Sequence, residues 1–332
     1  MKAAFKGPDG IRFKDVSVRK PGADEIKVKV DACGICGTDL HVNPSDKNES
    51  RFGHEMAGTI TELGSAVRNL KVGQTVAIDS STACGHCSRC KNGQQELCTD
   101  VRSIFRDMEL GFAQEIVAPA ISAVPFKGIS AEVASLQEPL GVSIDMVRLT
   151  DIGINSNVLL MGAGPIGLMA VALAKRQGAR KIIVCQRKRR KVRCQIALDW
   201  GADAIIDPDE LEKYDFGCEI DRIMVTSSPD TIGAAAKIAC KGGIITFIGL
   251  GFGAKEKITL DGNAFHFKKL QLRASFASPA MFGPMAVEYL EKGIVDGKRI
   301  ISHTFPLERL DEGMKIATND PEAVKVVITV RN

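Results

Sequence analysis

One stretch restricts the folds open to this chain more than any other. The apolar run at residues 158–161 leads directly into Gly162-Ala163-Gly164-Pro165-Ile166-Gly167, and an apolar helical pattern then runs over 166–177 until Gly178 ends it. A strand that feeds a helix through G-x-G-x-x-G is a dinucleotide-binding device. The first glycine permits the tight turn, the second lets a pyrophosphate approach the backbone, and the third lets helix and strand pack closely. The helix N-terminus offers unpaired amides to the phosphates. Gly162, Gly164, Pro165, Ile166 and Gly167 are therefore the candidate phosphate contacts.

The alternation of strand, turn and helix continues after this unit. Further β-rich runs fall at 181–185, 204–207, 222–228 and 243–250, and 270–277 reads as the last strand. This is the pattern of an α/β fold with a doubly wound parallel sheet. The first 120 or so residues read differently, as short strands at 26–30, 57–63, 75–78 and 115–117 separated by turn signals, which predicts a compact β-barrel-like domain. Residues 281–292 read as a helix and 326–330 as a closing strand that could return to the first domain. The predicted organisation is a first domain at 1–139, a dinucleotide domain at 140–277 and a C-terminal segment at 278–332. With 332 residues the chain can bury two ordinary cores.

Charge and apolar patterning exclude other classes. The N-terminal MKAAFKGPDG lacks the apolar core of a signal peptide, and no uncharged run is long enough to span a bilayer, so a cytoplasmic protein without a membrane partner is expected. A formal net charge of +4 does not argue for nucleic acid. The basic block Arg187-Lys188-Arg189-Arg190-Lys191-Val192-Arg193 carries no aromatic residue that could stack on bases, and no nucleic-acid partner is expected.

That block has a better use. In an NAD site an Asp or Glu stands about 20 residues beyond the turn, at the end of the second strand, and bonds the ribose 2′-hydroxyl. Here the position holds Gln186, with Arg187, Lys188 and Arg190 close behind. Guanidinium and ammonium donors suit a 2′-phosphate, so NADP(H) is expected ahead of NAD(H).

Ten cysteines in a chain of this kind point to metal ligation, because reducing compartments keep thiols free. Cys84, Cys87, Cys90 and Cys98 share one short segment and could enclose a tetrahedral zinc with no position left for substrate, a structural role. An iron-sulfur cluster is the rival, but the fourth cysteine comes late and Thr99 follows it where a ferredoxin run has proline. A second, scattered set comprises Cys36, His54, Glu55 and Glu138. Thiolate, imidazole and carboxylate together are typical of a catalytic zinc that keeps one position open.

These motifs carry a resemblance that covers nearly the whole chain. The segments are Cys33-Gly-Ile-Cys36-Gly-Thr38-Asp-Leu-His41, Gly53-His54-Glu55, the turn-rich 64–73, the four-cysteine loop, Gln137-Glu138-Pro139-Leu140, the glycine turn and 303–310. Together they resemble the zinc-containing medium-chain dehydrogenases, and more closely their sorbitol and polyol branch. The resemblance implies a GroES-like β-barrel catalytic domain beside the Rossmann sheet, one catalytic and one structural zinc, and a homodimer or homotetramer. It implies Cys36 and His54 as catalytic zinc ligands, with Glu55 and Glu138 contending for the third position. Thr38 occupies the place of the hydroxyl that touches the substrate oxygen, and His41 the end of a proton relay to solvent. Thr226 falls on the adenosine side of the cofactor site, in a Thr-Ser-Ser run where relatives often carry glycine.

The implied activity is hydride transfer between a polyol or sugar-type secondary alcohol, or its ketone, and the nicotinamide. The alternatives are a dehydrogenase of a simple secondary alcohol or diol and a non-catalytic NADPH-binding protein, which the joint presence of Cys36, Thr38, His54, Glu55 and Glu138 disfavours. The polar stretch 40–52 lacks the proline that often sits a few residues before Gly53-His54-Glu55, so an unusual substrate rim is expected there.

Overall fold

In the computed structural model residues 1–41 and 49–330 are described, the His41 side chain excepted. They form two compact units, one of Met1–Gly141 with Ala277–Asn332 and one of Val142–Phe276.

The smaller unit is built on a parallel sheet whose strand order is Ala204–Ile206, Lys181–Cys185, Asn157–Met161, Ile220–Val225, Ala239–Phe247 and Gln271–Ala274. In chain order that is third, second, first, fourth, fifth and sixth, the doubly wound arrangement. Leu159 pairs with Ile183 on one side and Ile223 on the other. All three are fully buried, as expected of a strand covered on both faces. The strands agree with the β-rich runs to within a few residues. The last is the shorter Gln271–Ala274, just beyond which the Ser275 amide still donates to the Phe247 carbonyl at 2.9 Å.

In the larger unit the main sheet runs Ala123–Pro125, Thr75–Ile78, Glu55–Leu63, Glu25–Gly34, Lys325–Thr329 and Ile301–Pro306, and Glu115–Pro119 also pairs with Glu25–Gly34. The long Glu25–Gly34 strand has register shifts at Lys27/Val28 and Val30/Ala32. Such bulges bend a strand, and here its two halves meet different neighbours. Glu25 to Lys29 pair with Glu115–Pro119, whereas Ala32 to Gly34 pair with Lys325–Thr329. Alternation in these strands sends Ile26, Val28, Val30, Ile60, Val76, Ile78 and Ile116 into one core with Phe112. The strand Lys325–Thr329 thus lies against the segment that leads into Cys36. Among the described residues, no helix is long and apolar enough to cross a membrane.

Candidate active site and metal centres

Cys36, His54 and Glu55 come from two segments that the sheet brings together. Cys36 follows the Glu25–Gly34 strand and precedes the short helix Gly37–His41, while Glu55 opens the Glu55–Leu63 strand and lies in register with Gly34. One ligand atom from each of the three lies within 4.8 Å of the others. Backbone geometry at Gly53 makes this possible. Its φ is +89°, and a Cβ there would stand 2.6 Å from the Phe112 ring, so only glycine lets the chain turn His54 inward here.

Asp39 ties both segments down. Its Oδ2 accepts the Cys36 amide at 2.9 Å, its Oδ1 accepts the Gly53 amide at 3.3 Å, and Oδ1 stands 3.9 Å from His54 Nδ1. Lys325 reaches the same residues from the strand Lys325–Thr329. Its ammonium is buried, donates to the Ile35 carbonyl at 3.0 Å and pairs with Glu55 Oε2. Neither Asp39 nor Lys325 is visible as a site residue in the sequence. The signals were Asp39 three positions after Cys36 and a solitary lysine opening the apolar run 325–330.

The electrostatics of this pocket call for a cation. Burial pulls the His54 pKa down, yet its bond to Cys36 and the charges of Cys36, Asp39 and Glu138 outweigh that and hold it well above the usual range. His54 Nδ1 is buried without a hydrogen-bond partner. Burial likewise pushes Glu138 up to about 7, with His54 opposing and Glu55 adding to the rise. A pocket that draws protons onto imidazole and carboxylate fits a divalent ion that would replace them.

Glu138 stands outside the close set, in the first turn of the helix Gln137–Leu149, although its charge acts on His54. Gln137 beside it is buried and donates from Nε2 to Asp79 Oδ1 at 2.6 Å, while its Oε1 is left unpaired. Burial raises the Asp79 carboxyl to about 6 against the lowering effect of that bond. Thr38 is half-buried inside the Gly37–His41 helix, and Phe105, half exposed, sets its ring 5.2 Å from that of His54. The His41 imidazole and residues 42–48 of the expected substrate rim lie outside the described residues.

The four-cysteine loop closes on itself. Its sulfurs are mutually within 4.8 Å, with Cys84 to Cys90 at 4.0 Å and Cys87 to Cys98 at 3.9 Å. Sulfurs at the corners of a tetrahedron around zinc, with Zn–S near 2.3 Å, would be about 3.8 Å apart. Backbone amides aim at the sulfurs: Cys84 N at Cys98, Cys87 N at Cys84 and Cys90 N at Cys87. Amide bonds from Cys90 and Thr99 take the Cys87 thiol down to about 5, while burial and the neighbouring sulfurs push Cys90 up to about 12. Four thiolates cannot coexist there without a cation, and the donor set fits zinc.

At the glycine turn Gly162 has φ +102° and a Cβ would meet Thr226 Oγ1 at 2.7 Å, whereas a Cβ on Gly164 would meet open space. The turn therefore needs its first glycine for shape and leaves its second exposed to a ligand, as a pyrophosphate seat requires. Pro165 and Ile166 begin the helix Pro165–Arg176, and Gly167 packs against the Gly162 carbonyl. Thr226 donates to that carbonyl at 2.7 Å, so its hydroxyl braces the turn. Gln186 also turns inward, its Oε1 accepting the Ala163 amide at 2.8 Å.

Behind it Arg187 is exposed, and the Arg190 amide donates to the Arg187 carbonyl at 3.0 Å. Lys188 is held by two carboxylates that sequence distance concealed. Its amide donates to Asp207 at 3.0 Å and its ammonium to Glu210 at 2.7 Å. No acid ends the second strand, but acids from beyond the third reach the same place.

Comparison with known proteins follows these features. Residues 22–128 match the alcohol dehydrogenase GroES-like domain, and residues 165–291 match the zinc-binding dehydrogenase domain. The chain is 32% identical to the L-idonate 5-dehydrogenase of Vitis vinifera, over 99% of this chain and 94% of that one. It is 30% identical to an L-threonine 3-dehydrogenase of Bacillus licheniformis, over 95% of each. Two solved structures superpose with a TM-score of 0.88 over 99% of both chains. One is an Escherichia coli CFT073 protein described as a short chain alcohol dehydrogenase, with NADH, at 27% identity; the other is a zinc-binding dehydrogenase of Sinorhizobium meliloti, with NADP, at 28%. With a relative 32% identical over nearly the whole of both chains, and two domain matches that take in the four-cysteine loop and the last part of the glycine turn, the chain belongs to the zinc-containing medium-chain dehydrogenase/reductase family, in its sorbitol and polyol dehydrogenase-like branch.

Proposed function

We propose that the protein transfers hydride between NADP(H), in preference to NAD(H), and a secondary alcohol or ketone on a polyhydroxylated substrate of the sugar-acid or polyol class. The observation that carries this reading is the approach of Cys36, His54 and Glu55 to within one ion's reach, inside a pocket whose charge balance asks for a cation. The relative that acts on L-idonate supports the substrate class.

Cys36 and His54 would hold the catalytic zinc, and Glu55, whose Oε2 pairs with Lys325, would supply the third protein ligand. Glu138 faces the same ion from outside the close set. A zinc held by these residues would supply Lewis-acid polarisation of the substrate oxygen, and a nicotinamide seated on the glycine turn would supply the hydride chemistry. Thr38 bonds the substrate hydroxyl and receives its proton, and His41 passes that proton to solvent. The turn Gly162 to Gly167 seats the pyrophosphate, and Arg187, Lys188 and Arg190 face the 2′-phosphate. Cys84, Cys87, Cys90 and Cys98 hold a second, structural zinc.

All ten cysteines are free, which supports a reducing, cytoplasmic setting. The family resemblance supports a homodimer or homotetramer. A second reading, dehydrogenation of a smaller β-hydroxy compound, is favoured by the threonine dehydrogenase among the relatives.

Reduced-nicotinamide absorbance, followed with NAD+ and NADP+ separately against aldonates, polyols, inositols, simple diols and L-threonine, tests both readings. Aldonates or polyols with NADP+ should give the highest kcat/KM, with about two zinc ions per chain by metal analysis. Turnover confined to threonine or diols would overturn the substrate assignment, and equal or better turnover with NAD+ the cofactor assignment.

A further inference from the structure

The strands Lys181–Cys185 and Ala204–Ile206 are parallel neighbours, with Cys185 opposite Ile206. The segments that leave them therefore emerge side by side, and residues 186–188 meet residues 207–210. Asp207 caps the turn Pro208–Lys213, and Glu210 reaches back to the Asp207 amide at 3.4 Å in a capping box. The same Glu210 carboxylate grips the Lys188 ammonium, and Asp207 grips the Lys188 amide. Lys188 and Glu210 are each more than half exposed, so a phosphate arriving from solution can reach them.

Resting on the reading of the basic block as the 2′-phosphate seat, we propose that Glu210 is a specificity-determining residue. It occupies the Lys188 ammonium as a built-in counter-ion that a 2′-phosphate has to displace, and so holds back the preference for NADP(H) over NAD(H). A dianion beside two carboxylates is repelled and competes with one of them for its best partner. A ribose 2′-hydroxyl carries no charge and needs no ammonium partner, so it meets neither obstacle. The contact raises the Lys188 pKa and lowers that of Glu210 chiefly through their mutual hydrogen bond, in keeping with a formed ion pair. Glu210 touches the cofactor in neither case and acts through Lys188.

The test compares wild type, Glu210→Gln, Lys188→Met, Arg187→Ala and the double variant of Glu210 and Lys188, each as zinc-loaded protein. Calorimetry at low salt measures the Kd of adenosine 2′,5′-bisphosphate and of adenosine 5′-phosphate, and steady-state kinetics gives the kcat/KM ratio of NADP+ to NAD+. Glutamine keeps the capping box, so the local fold is retained. Glu210→Gln should tighten the bisphosphate relative to the monophosphate by about three- to tenfold and raise the kinetic ratio similarly, at low salt more than at high. The gain should vanish when Lys188 is already Met. An unchanged or falling ratio in Glu210→Gln, with Arg187→Ala or Lys188→Met still weakening the bisphosphate, overturns this inference alone. If neither Arg187→Ala nor Lys188→Met moves the ratio, the block is not the phosphate seat and the underlying reading fails with it.

Discussion

The four sulfurs of the 84–98 loop come from one short segment, whereas Cys36, His54 and Glu55 come from two strand ends and are balanced by a lysine 290 residues from Ile35. In the loop, local amides aim at the sulfurs and little beyond the segment is needed to shape it. In the scattered set, geometry comes from the sheet register, from Asp39 bridging two segments, and from Lys325 across the strand pair. A site that its own segment closes serves stability. A site closed by the fold is left with an approachable side, and its donors depend on partners distant in sequence.

Substitutions can break that contrast. The largest expected effect separates the two thiolates. Cys36→Ser should cut kcat/KM by about 10³-fold or more, about 4 kcal/mol of transition-state stabilisation, with little change in Tm. Cys87→Ser should do the reverse, lowering Tm while the folded fraction keeps its turnover. Each should lose about one zinc per chain by metal analysis. A Cys87 variant as inactive as the Cys36 variant, yet folded, would erase the distinction.

Next comes Lys325→Met, which removes the buried ammonium that pairs with Glu55 Oε2. Removing one partner of a buried ion pair costs about 3–5 kcal/mol, to be read from denaturant unfolding, and restoring the charge with arginine should recover part of it. A neutral outcome would mean that the Lys325–Glu55 pair does not hold the two strands together. Thr38→Val should lower kcat about 10²-fold with zinc content intact, a loss confined to proton handling. Steady-state kinetics across pH checks it.

The smallest effect concerns Asp79. Its folded pKa of about 6 lies above the ordinary carboxyl value, so the folded state favours the protonated form. Wild-type stability on this account is fully present at low pH and is lost as pH rises through about 6. Asp79→Asn removes that loss, and its amide can donate to the unpaired Gln137 Oε1. Its advantage should grow between about pH 4 and 6 and level off above that, at about 3 kcal/mol at most, measured by urea unfolding at each pH.

What could be read from the sequence divides along the same line. The glycine turn and the four cysteines are local patterns, and the parallel strands follow from apolar runs that repeat between turns. The ligand role proposed for Cys36 and His54 came through family resemblance, since spacing cannot unite residues that only a sheet register joins. Asp39, Lys325, Asp79 and Glu210 escaped notice because each acts through a partner. Their side chains are ordinary charges until packing gives them a neighbour. Thr226, expected on the adenosine side of the cofactor site, donates its hydroxyl to the Gly162 carbonyl and braces the turn. Gln186 is likewise engaged with the turn, and the acids that matter to the basic block arrive from the next strand.

The pairing of Lys325 with Glu55 also imposes a timetable on biosynthesis. On the ribosome the four-cysteine segment emerges early and is complete in itself, so it can capture its ion while most of the polypeptide is unmade. The Cys36 pocket lacks the partner of Glu55 until the strand bearing Lys325 has been translated and paired into the sheet. Loading of the two ions should therefore be sequential, the inert one first and the reactive one only after the whole nucleotide-binding half has been synthesised.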